Sequence, residues 1–526
     1  MTQTRERYVQ RQVISDIVQK LMAEIENKMD KIVALCKRRG FVFQGSDIYG
    51  GLKGTWDMGP LGVALNNNIK REWWKMFVDG REDMYGLDAS ILMNAKVWEA
   101  SGHTGAGFSD PMVEDLETKT RYRADHLLAG IAAVSPVIDN PIIKSLINFL
   151  TVNNVQYLPF GDSHTVEQTI DTLFEVIKEQ GLRKSDAFNY VFKSPGVKSP
   201  EGNGLGETRD FNMMFETTIG ATAGPDGKVY LRPETAQGIF VNFKNVVDSM
   251  SPKMPFGIGQ IGKAFRNEIA PREFLFRVRE FEQMEIEYFV KEENWVEQFE
   301  AWRLAIWVWF DHLGLARSNV QELEVSESDL AHYSKRTIDF EYNFPGKGFD
   351  ELAGFAYRTD HDLKAHMNAS GKSMEYVEAD GTKFVPHVLE PSFGVGRAIT
   401  AVLCEAYSED TIGEEARTFL KLPKHLAPYV ACVSPLLKNK PELVEKAREV
   451  FLLLKKEYGN VAWDDNGNIG KRYRRQDEIG TPFCVTIDFE TLGQEKTELK
   501  DTVTVRNRDT GEQTRVAIPE LISAFK

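Results

Sequence analysis

The stretch AFRNEIAPREFLFRVREFEQMEIEYF, from Ala264 to Phe289, constrains the fold more than any other part of the chain. It reads as strand, turn, strand, with Pro271-Arg272 in the loop. On the second strand a period of two puts Arg277, Arg279, Phe281, Gln283 and Glu285 on one face. Phe276, Val278, Met284, Ile286 and Tyr288 fall on the other, with Glu280 and Glu282 breaking the apolar set. Such a strand needs a sheet with one side on a core and the other free to hold charge. Two guanidinium groups, an aromatic plane and a carboxylate in a row would suit phosphates, a base and an ammonium. Charged cross-strand pairs on a half-exposed strand are the other reading.

A second segment, VLEPSFGVGRAITAVLCEAY from Val388 to Tyr407, reads as a short strand, a Pro-Ser-Phe-Gly turn and a helix opening near Val395. Gly394 and Gly396 allow close backbone approach, and Arg397 falls in the first helical turn, where the dipole also favours an anion. The spacing of this GxG is not GxGxxG after a strand of a βαβ unit, and there is no GxxxxGK[ST], which disfavours dinucleotide and P-loop readings.

The chain's 526 residues allow several domains with cores of their own, and 42% hydrophobic with 27% charged residues excludes disordered and fibrous classes. Cys36, Cys404, Cys432 and Cys484 are too scattered for a CxxC zinc site or a disulfide scaffold, so a reducing compartment and no zinc are expected. The longest apolar run, Leu304 to Phe310, is far below the ~18 residues of a membrane span, which leads to an expectation of a cytoplasmic protein. Apolar residues from Ile14 to Val33 follow helical spacing up to Gly40, and helices are also expected over Leu61–Val78 and Trp295–Leu313. The tryptophans Trp73, Trp74, Trp302, Trp307 and Trp309 read as packing anchors. Residues 130–200 change in texture and end in the Ser/Pro/Gly-rich KSPGVKSPEGNGLGE, which suggests an inserted subdomain with a flexible connector.

After the linker-like KLPKHLAP the pattern alternates: strand Tyr429–Val433, helix Glu442–Tyr458, helix Gly470–Ile479, strand Phe483–Ile487, strand Thr502–Arg506. This is the order of a small α/β domain. The net charge is -14, yet the tail from Ala427 holds 16 basic and 16 acidic residues, so the whole acidic excess precedes it. Within the tail Lys471, Arg472, Arg474 and Arg475 cluster, followed by Arg506, Arg508 and Arg515. A solvated helix face and a polyanion contact both fit that cluster.

Together the two segments, Ala264 to Phe289 and Val388 to Tyr407, resemble motifs 2 and 3 of the class II aminoacyl-tRNA synthetases. Further stretches narrow the resemblance to the dimeric-type glycyl-tRNA synthetases: GTWDMGPLGVALNNNIKREWW, VWEASGH, YRADHLL, FNMMFETTIG, YLRPETAQGIF, FRNEIAPR, EPSFGVGR, IGKRYRRQDEIGTPFCVTID and TVRNRDTGEQ. They cover nearly the whole chain in the right order, with the weakest match in 130–200 and the N-terminal helix. One departure is the motif 1 stretch Ile91–Lys96, ILMNAK, which lacks the usual proline.

The resemblance implies an α+β catalytic domain with an antiparallel class II sheet flanked by helices, an inserted subdomain, and a C-terminal α/β anticodon-binding domain. The implied boundaries are 1–129 for the N-terminal helix and first catalytic part, 130–200 for the insertion, 201–420 for the catalytic core and 427–526 for the anticodon domain. It further implies a homodimer that activates glycine with ATP and Mg²⁺ and transfers it to tRNA(Gly). Arg266 would reach the α-phosphate, and Phe281 would stack on adenine with Arg397 on its other face and reaching the γ-phosphate. Asn267, Glu268, Phe276, Arg277, Leu352 and Gly394 complete the implied ATP site, and Glu351 would meet the phosphates through Mg²⁺.

For glycine, Glu234, Glu285 and Ser392 would take the ammonium and Arg123 the carboxylate, with Phe281, Gln283, Glu390 and Gly394 around them. Lys471, Arg472, Arg474, Arg475, Arg506 and Arg508 become candidates for tRNA contact. No Ser/His/Asp or Cys/His arrangement stands out, and none is needed for adenylate chemistry, so Arg266, Arg397 and Glu351 are the expected catalytic groups. A synthetase-like nucleic-acid-binding protein without catalysis is the alternative.

Overall fold

The structure, a computed structural model, describes residues 28–105, 108–132, 140–155, 165–180, 182–220, 227–269, 271, 274–327, 330–331, 333–412, 414–494 and 496–525. The expected N-terminal helix is therefore seen from residue 28 to 39; its earlier turns lie outside the described residues. Contacts divide the chain into two compact units, one of Met1–Ser90, Glu234–Ala264 and Arg272–Lys526, the other of Ile91–Pro233 and Phe265–Pro271.

The first unit is built on a seven-stranded sheet of β1 (Met84–Gly86), β2 (Phe256–Phe265), β3 (Glu280–Val290), β4 (Val320–Glu324), β5 (Arg336–Phe344), β6 (Gly348–Thr359) and β7 (His387–Gly394). The strand order is β4-β5-β6-β7-β3-β2-β1; β1 runs parallel to β2, and the pairs from β4 through to β3 are antiparallel. One sheet face is sealed by α1 (Pro60–Trp74), α3 (Trp295–His312) and α5 (Val395–Ala406). The alternation on β3 delivers Met284, Ile286 and Tyr288 to this core, all essentially inaccessible. Phe77, just after α1, stacks between Trp302 of α3 and Phe393 of β7 at 5.7 and 5.8 Å, which fixes both helices to the sheet. Trp73, Trp302 and Trp309 are buried, as packing anchors must be, while Trp74 and Trp307 are half-buried. Toward the other face, α2 (Ala236–Met250) and α4 (His361–Ser370) cover a smaller apolar cluster containing Phe240, Phe243, Phe256 and Phe289.

Two local expectations change. The charged strand begins at Glu280, so Arg277 and Arg279 precede it: Phe274 turns left-handed (φ 56°) and the Arg279 N–H donates to the Gly54 carbonyl at 2.9 Å. The expected Pro-Ser-Phe-Gly turn is instead the end of β7, because Ser392 and Phe393 stay in register with both β3 and β6.

In the tail, β8 (Ala431–Pro435), β9 (Val461–Trp463), β10 (Phe483–Ile487), β11 (Thr502–Asn507) and β12 (Gln513–Ala517) form a five-stranded mixed sheet in the order β9-β8-β10-β11-β12. Helix α6 (Pro441–Tyr458) packs its Leu443, Ala447, Val450 and Leu454 on it, and α7 (Ile469–Ile479) follows, capped by the Asn468 side chain on the Lys471 N–H.

The second unit has a three-stranded sheet of Ser109–Glu114, Arg121–Arg123 and Arg209–Asn212, with four helices among the described residues between Ala124 and Phe192. The stretch 130–200 is thus the helical half of a larger body. Residues well outside it, such as Asp110 and Phe211, are paired in one sheet, and the compact unit takes in Ile91–Pro233 with Phe265–Pro271. No described helix is long and apolar enough to cross a membrane.

Candidate active site

On the side of the main sheet away from the tryptophans, β3, β7 and β6 present a row of acids. Glu285 is buried (2% exposed); Ser392, its cross-strand partner on β7, donates to one carboxylate oxygen at 2.9 Å, and Thr235 at the start of α2 donates to the other. Burial, and then the charge of Glu234, push the Glu285 carboxyl upward, while the two hydroxyls work against that shift. Next to it, Gln237 of α2 donates to Glu234 at 3.0 Å and to Asp362 at 3.1 Å, and its carbonyl accepts from His366 at 2.8 Å. With the amide oxygen as acceptor the imidazole donates from Nε2, and burial pushes its pKa below the usual value.

One cation lies among these acids. Arg358 grips Asp362 with two bonds of 2.8 Å and Glu390 with one of 2.5 Å, and lies 3.9 Å over the Tyr333 ring. Its direction comes from an irregularity: Tyr357 pairs with Leu389 and Thr359 with Val388, leaving Arg358 as the extra residue of a bulge. Burial pushes Asp362 up, but the charge and hydrogen bonds of Arg358 outweigh it and hold the acid below its usual range. Gln283 is also buried on this face, with its side-chain oxygen unpartnered among the described residues. Phe281 is half-buried where β3 begins, and Gly394 ends β7 opposite Gln283.

A second cluster gathers around Arg397 in the first turn of α5. Its guanidinium lies 4.5 Å over the Phe276 ring and bonds the Glu351 carboxylate at 2.9 Å and the Glu351 carbonyl at 3.0 Å. Lys347 covers the same ring at 3.4 Å. Gly396 is required here, since a Cβ would meet the Leu275 carbonyl oxygen at 2.8 Å; that close approach holds Phe276 beside Arg397. Leu352 points into the core. Asp339 on β5 turns toward Glu351: a point beside Gly354 lies 4.0 Å from an Asp339 oxygen and 3.9 Å from a Glu351 oxygen. Burial, then the charges of Glu351 and Glu341, raise the Asp339 acid to about 6. Arg277 is half-buried.

Arg123, Arg266, Asn267 and Glu268 belong to the second compact unit. Arg266 donates to the Pro233 carbonyl at 3.1 Å and lies 5.6 Å from the Phe108 ring centre. The Asn267 N–H is bonded to Met213, and the Glu268 N–H to Arg266. Arg123 is already engaged by Asp125 at 2.7 Å and Asp110 at 3.2 Å.

In the tail the six basic candidates divide. Arg472 is buried and donates to the carbonyls of Pro435, Asp465 and Gly467; Arg506 is buried on Asp477; Arg508 is buried on the carbonyls of Gly480 and Leu422. Each of these guanidinium groups is bonded to the protein's own oxygens and helps hold the domain together, and Arg506 also lines the cleft beside Tyr473. Lys471 is exposed without an ion pair among the described residues, while Arg474 and Arg475 are partly exposed and paired with Glu415 and Asp464. With Tyr473 they line a cleft of about 730 Å³.

Reading the sequence alone missed Thr235, Gln237, Glu287, Asp339, Arg358 and Asp362. Glu287 was within reach, since the period of β3 extends to it; Arg358 was not, since a bulge cannot be read from spacing.

Residues 222–406 match the tRNA synthetase class II core domain (G, H, P, S and T), and 430–526 match the anticodon binding domain. The chain is 47% identical to the glycine–tRNA ligase of Deinococcus radiodurans over 522 residues, covering 94% of this chain and 97% of that one. It is 46% identical to that of Thermus thermophilus (94% and 97% covered) and 45% identical to that of Clostridium tetani (95% and 98%).

Proposed function

Because the chain belongs to the glycine–tRNA ligases, class II synthetases with an anticodon-binding domain, we propose that its acid-lined pocket binds glycine and that the Arg397 cluster binds ATP. The enzyme joins glycine to tRNA with ATP. The observation that carries the site reading is the buried Glu285 carboxylate, aimed by Ser392 and Thr235 and flanked by Glu234: it matches an ammonium and offers nothing to a neutral side chain. Glycine has no Cβ, so packing around the ammonium suffices to reject every larger amino acid by clash, and no editing step is required.

In the first step a glycine carboxylate oxygen attacks the α-phosphorus and pyrophosphate leaves. In the second a terminal hydroxyl of tRNA attacks the acyl carbon and AMP leaves. Arg266 would stabilise charge at the α-phosphate. Adenine would lie against Phe281, while Arg397, backed by Phe276, would meet the outer phosphates with Arg277. Glu351 and Asp339 suit Mg²⁺, an ion that takes one or two carboxylates plus phosphate oxygens, and it would supply charge neutralisation at the triphosphate. Arg358, which bonds Glu390, orders the pocket, and Arg123 holds Asp110 and Asp125 in place. For tRNA we propose the cleft around Lys471, Tyr473, Arg474 and Arg475, where a splayed base could stack and its phosphates meet cations. We further propose a cytoplasmic homodimer, as the family resemblance implies.

The test is amino-acid-dependent exchange of labelled pyrophosphate into ATP, run over all standard amino acids. Exchange with glycine alone is expected. Exchange with a different amino acid would overturn the pocket assignment, and no exchange with or without tRNA would favour a non-catalytic protein.

A further inference from the structure

Deep in the pocket lies a carboxyl group that nothing satisfies. Glu287 is wholly buried (0% exposed), and neither of its oxygens has a hydrogen-bond partner among the described residues. It follows Glu285 by two positions on β3 and so shares its face. The pairs Glu285↔Ser392 and Tyr288↔Leu389 place it opposite Glu390 of β7. The charged groups that bear on it are Glu285 from its own strand, Glu390 from β7, Arg358 from β6 and Asp362 from α4.

Those neighbours are spoken for. Arg358 divides its guanidinium between Asp362 and Glu390, and Glu285 is held by two hydroxyls. Four ionised carboxylates against one guanidinium would leave a large net negative charge away from water, and a buried acid without a partner takes up a proton instead. The proton belongs on Glu287, since Glu390 has a guanidinium at 2.5 Å and Glu287 has no donor among the described residues. Burial and then the charge of Glu390 both act in that direction.

We propose that Glu287 is a positioning residue of the ammonium pocket: it carries a proton in the absence of glycine and releases it to water when the ammonium arrives, so that glycine binding is coupled to proton release. The O–H bond of the acid breaks, the electron pair stays on the carboxylate, and the proton passes to buffer; the ammonium keeps all three of its own. The incoming cation supplies the charge that the pocket lacked, and the ionised Glu287 strengthens the field through Glu285 and Glu390, which flank it. A neutral group of the same size does neither, so glycolate, with a hydroxyl in place of the ammonium, releases nothing through this route. The inference rests on the reading that this pocket takes the amino group of glycine.

The experiment is isothermal titration calorimetry of glycine into the full-length protein at pH 7, in buffers of different ionisation enthalpy, for the wild type, Glu287→Gln and Glu287→Met. The slope of heat against buffer enthalpy counts protons. Expected are a release approaching one proton per glycine in the wild type and little or none in either variant. In pyrophosphate exchange, the wild-type KM for glycine should fall as pH rises, by up to about tenfold per unit while the proton is being lost, and the variant profiles should be flatter. Glycine binding with no proton release in the wild type, or with the same release in a folded variant, overturns the proposal and leaves the pocket reading intact. A wild type that does not bind glycine overturns both.

Discussion

Arg506 and Asp477 form a two-pronged ion pair, with bonds of 2.7 and 2.9 Å, and the Asp477 side chain is 1% exposed. Arg417, from the hairpin that precedes the tail, reaches the same carboxylate at 3.2 Å and the Arg508 carbonyl at 2.6 Å. The tail is therefore fastened to that hairpin by buried charge as well as by the chain itself. Asp477→Ala would leave the buried Arg506 guanidinium without its anion, while Arg417 keeps its pair with Asp410 at 2.6 and 2.8 Å. Breaking a buried pair from one side costs about 3–5 kcal/mol, so urea unfolding should show that loss, while Asp477→Glu recovers part of it.

The division of the basic cluster into buried and exposed members separates binding from stability. Lys471→Ala and Arg474→Ala should weaken tRNA binding and lower its salt slope by about one for each phosphate contact removed, with glycine-dependent exchange unchanged. Arg472→Ala and Arg508→Ala should lower the unfolding midpoint, since each leaves buried carbonyls without a donor. Equal loss of tRNA affinity in all four without loss of stability would contradict the burial argument.

Much of this architecture is legible in residue order. The tail's βαβ alternation, the α3 tryptophans and the apolar side of β3 follow from periodicity, because local spacing decides which face meets the core. What periodicity cannot carry is register. Glu390, Ser392 and Arg358 join Glu285 only because β7 lies between β3 and β6 and a bulge turns Arg358 inward. Basic residues in a run look alike in sequence, yet Arg472 and Lys471 are adjacent on a helix and face opposite environments. The helical stretch 130–200 reads as an insertion because its texture differs, whereas the pairing of the strands on either side of it, at 109–114 and 209–212, is visible only in the structure.

Ser392 holds Glu285 for the incoming ammonium. A hydrogen bond to a charged group is worth about 1.5–3 kcal/mol, so Ser392→Ala should raise the glycine KM in pyrophosphate exchange by roughly tenfold or more. The KM for ATP should change little, because the Arg397 cluster does not use the hydroxyl.

Asp362 gives a pH signature with a definite sign. Its acid is depressed in the folded state from an ordinary value of 3.8, so its stabilisation is present above that value and is lost as pH falls through the folded pKa. Asp362→Asn should therefore cost stability at pH 6–7, and the gap to wild type should narrow as unfolding is measured below about pH 4. A gap that widened toward acid would reverse the assignment.

Arg397 tests whether shape or charge is needed at the triphosphate end. Its plane rests on Phe276 while one nitrogen, Nη1, reaches both the carboxylate and the carbonyl of Glu351; it is the flat contact with the ring that an ammonium cannot reproduce. Arg397→Ala should lower glycine-dependent exchange by about 10²–10³, the usual loss when a transition-state charge stabiliser is removed. Arg397→Lys keeps the charge but has no plane to lay on Phe276, so it should recover only a small part of that rate. The glycine KM should stay near wild type in both variants. Phe276→Leu, which removes the platform and leaves the guanidinium, should give an intermediate loss; full activity in Arg397→Lys would show that a point charge is enough.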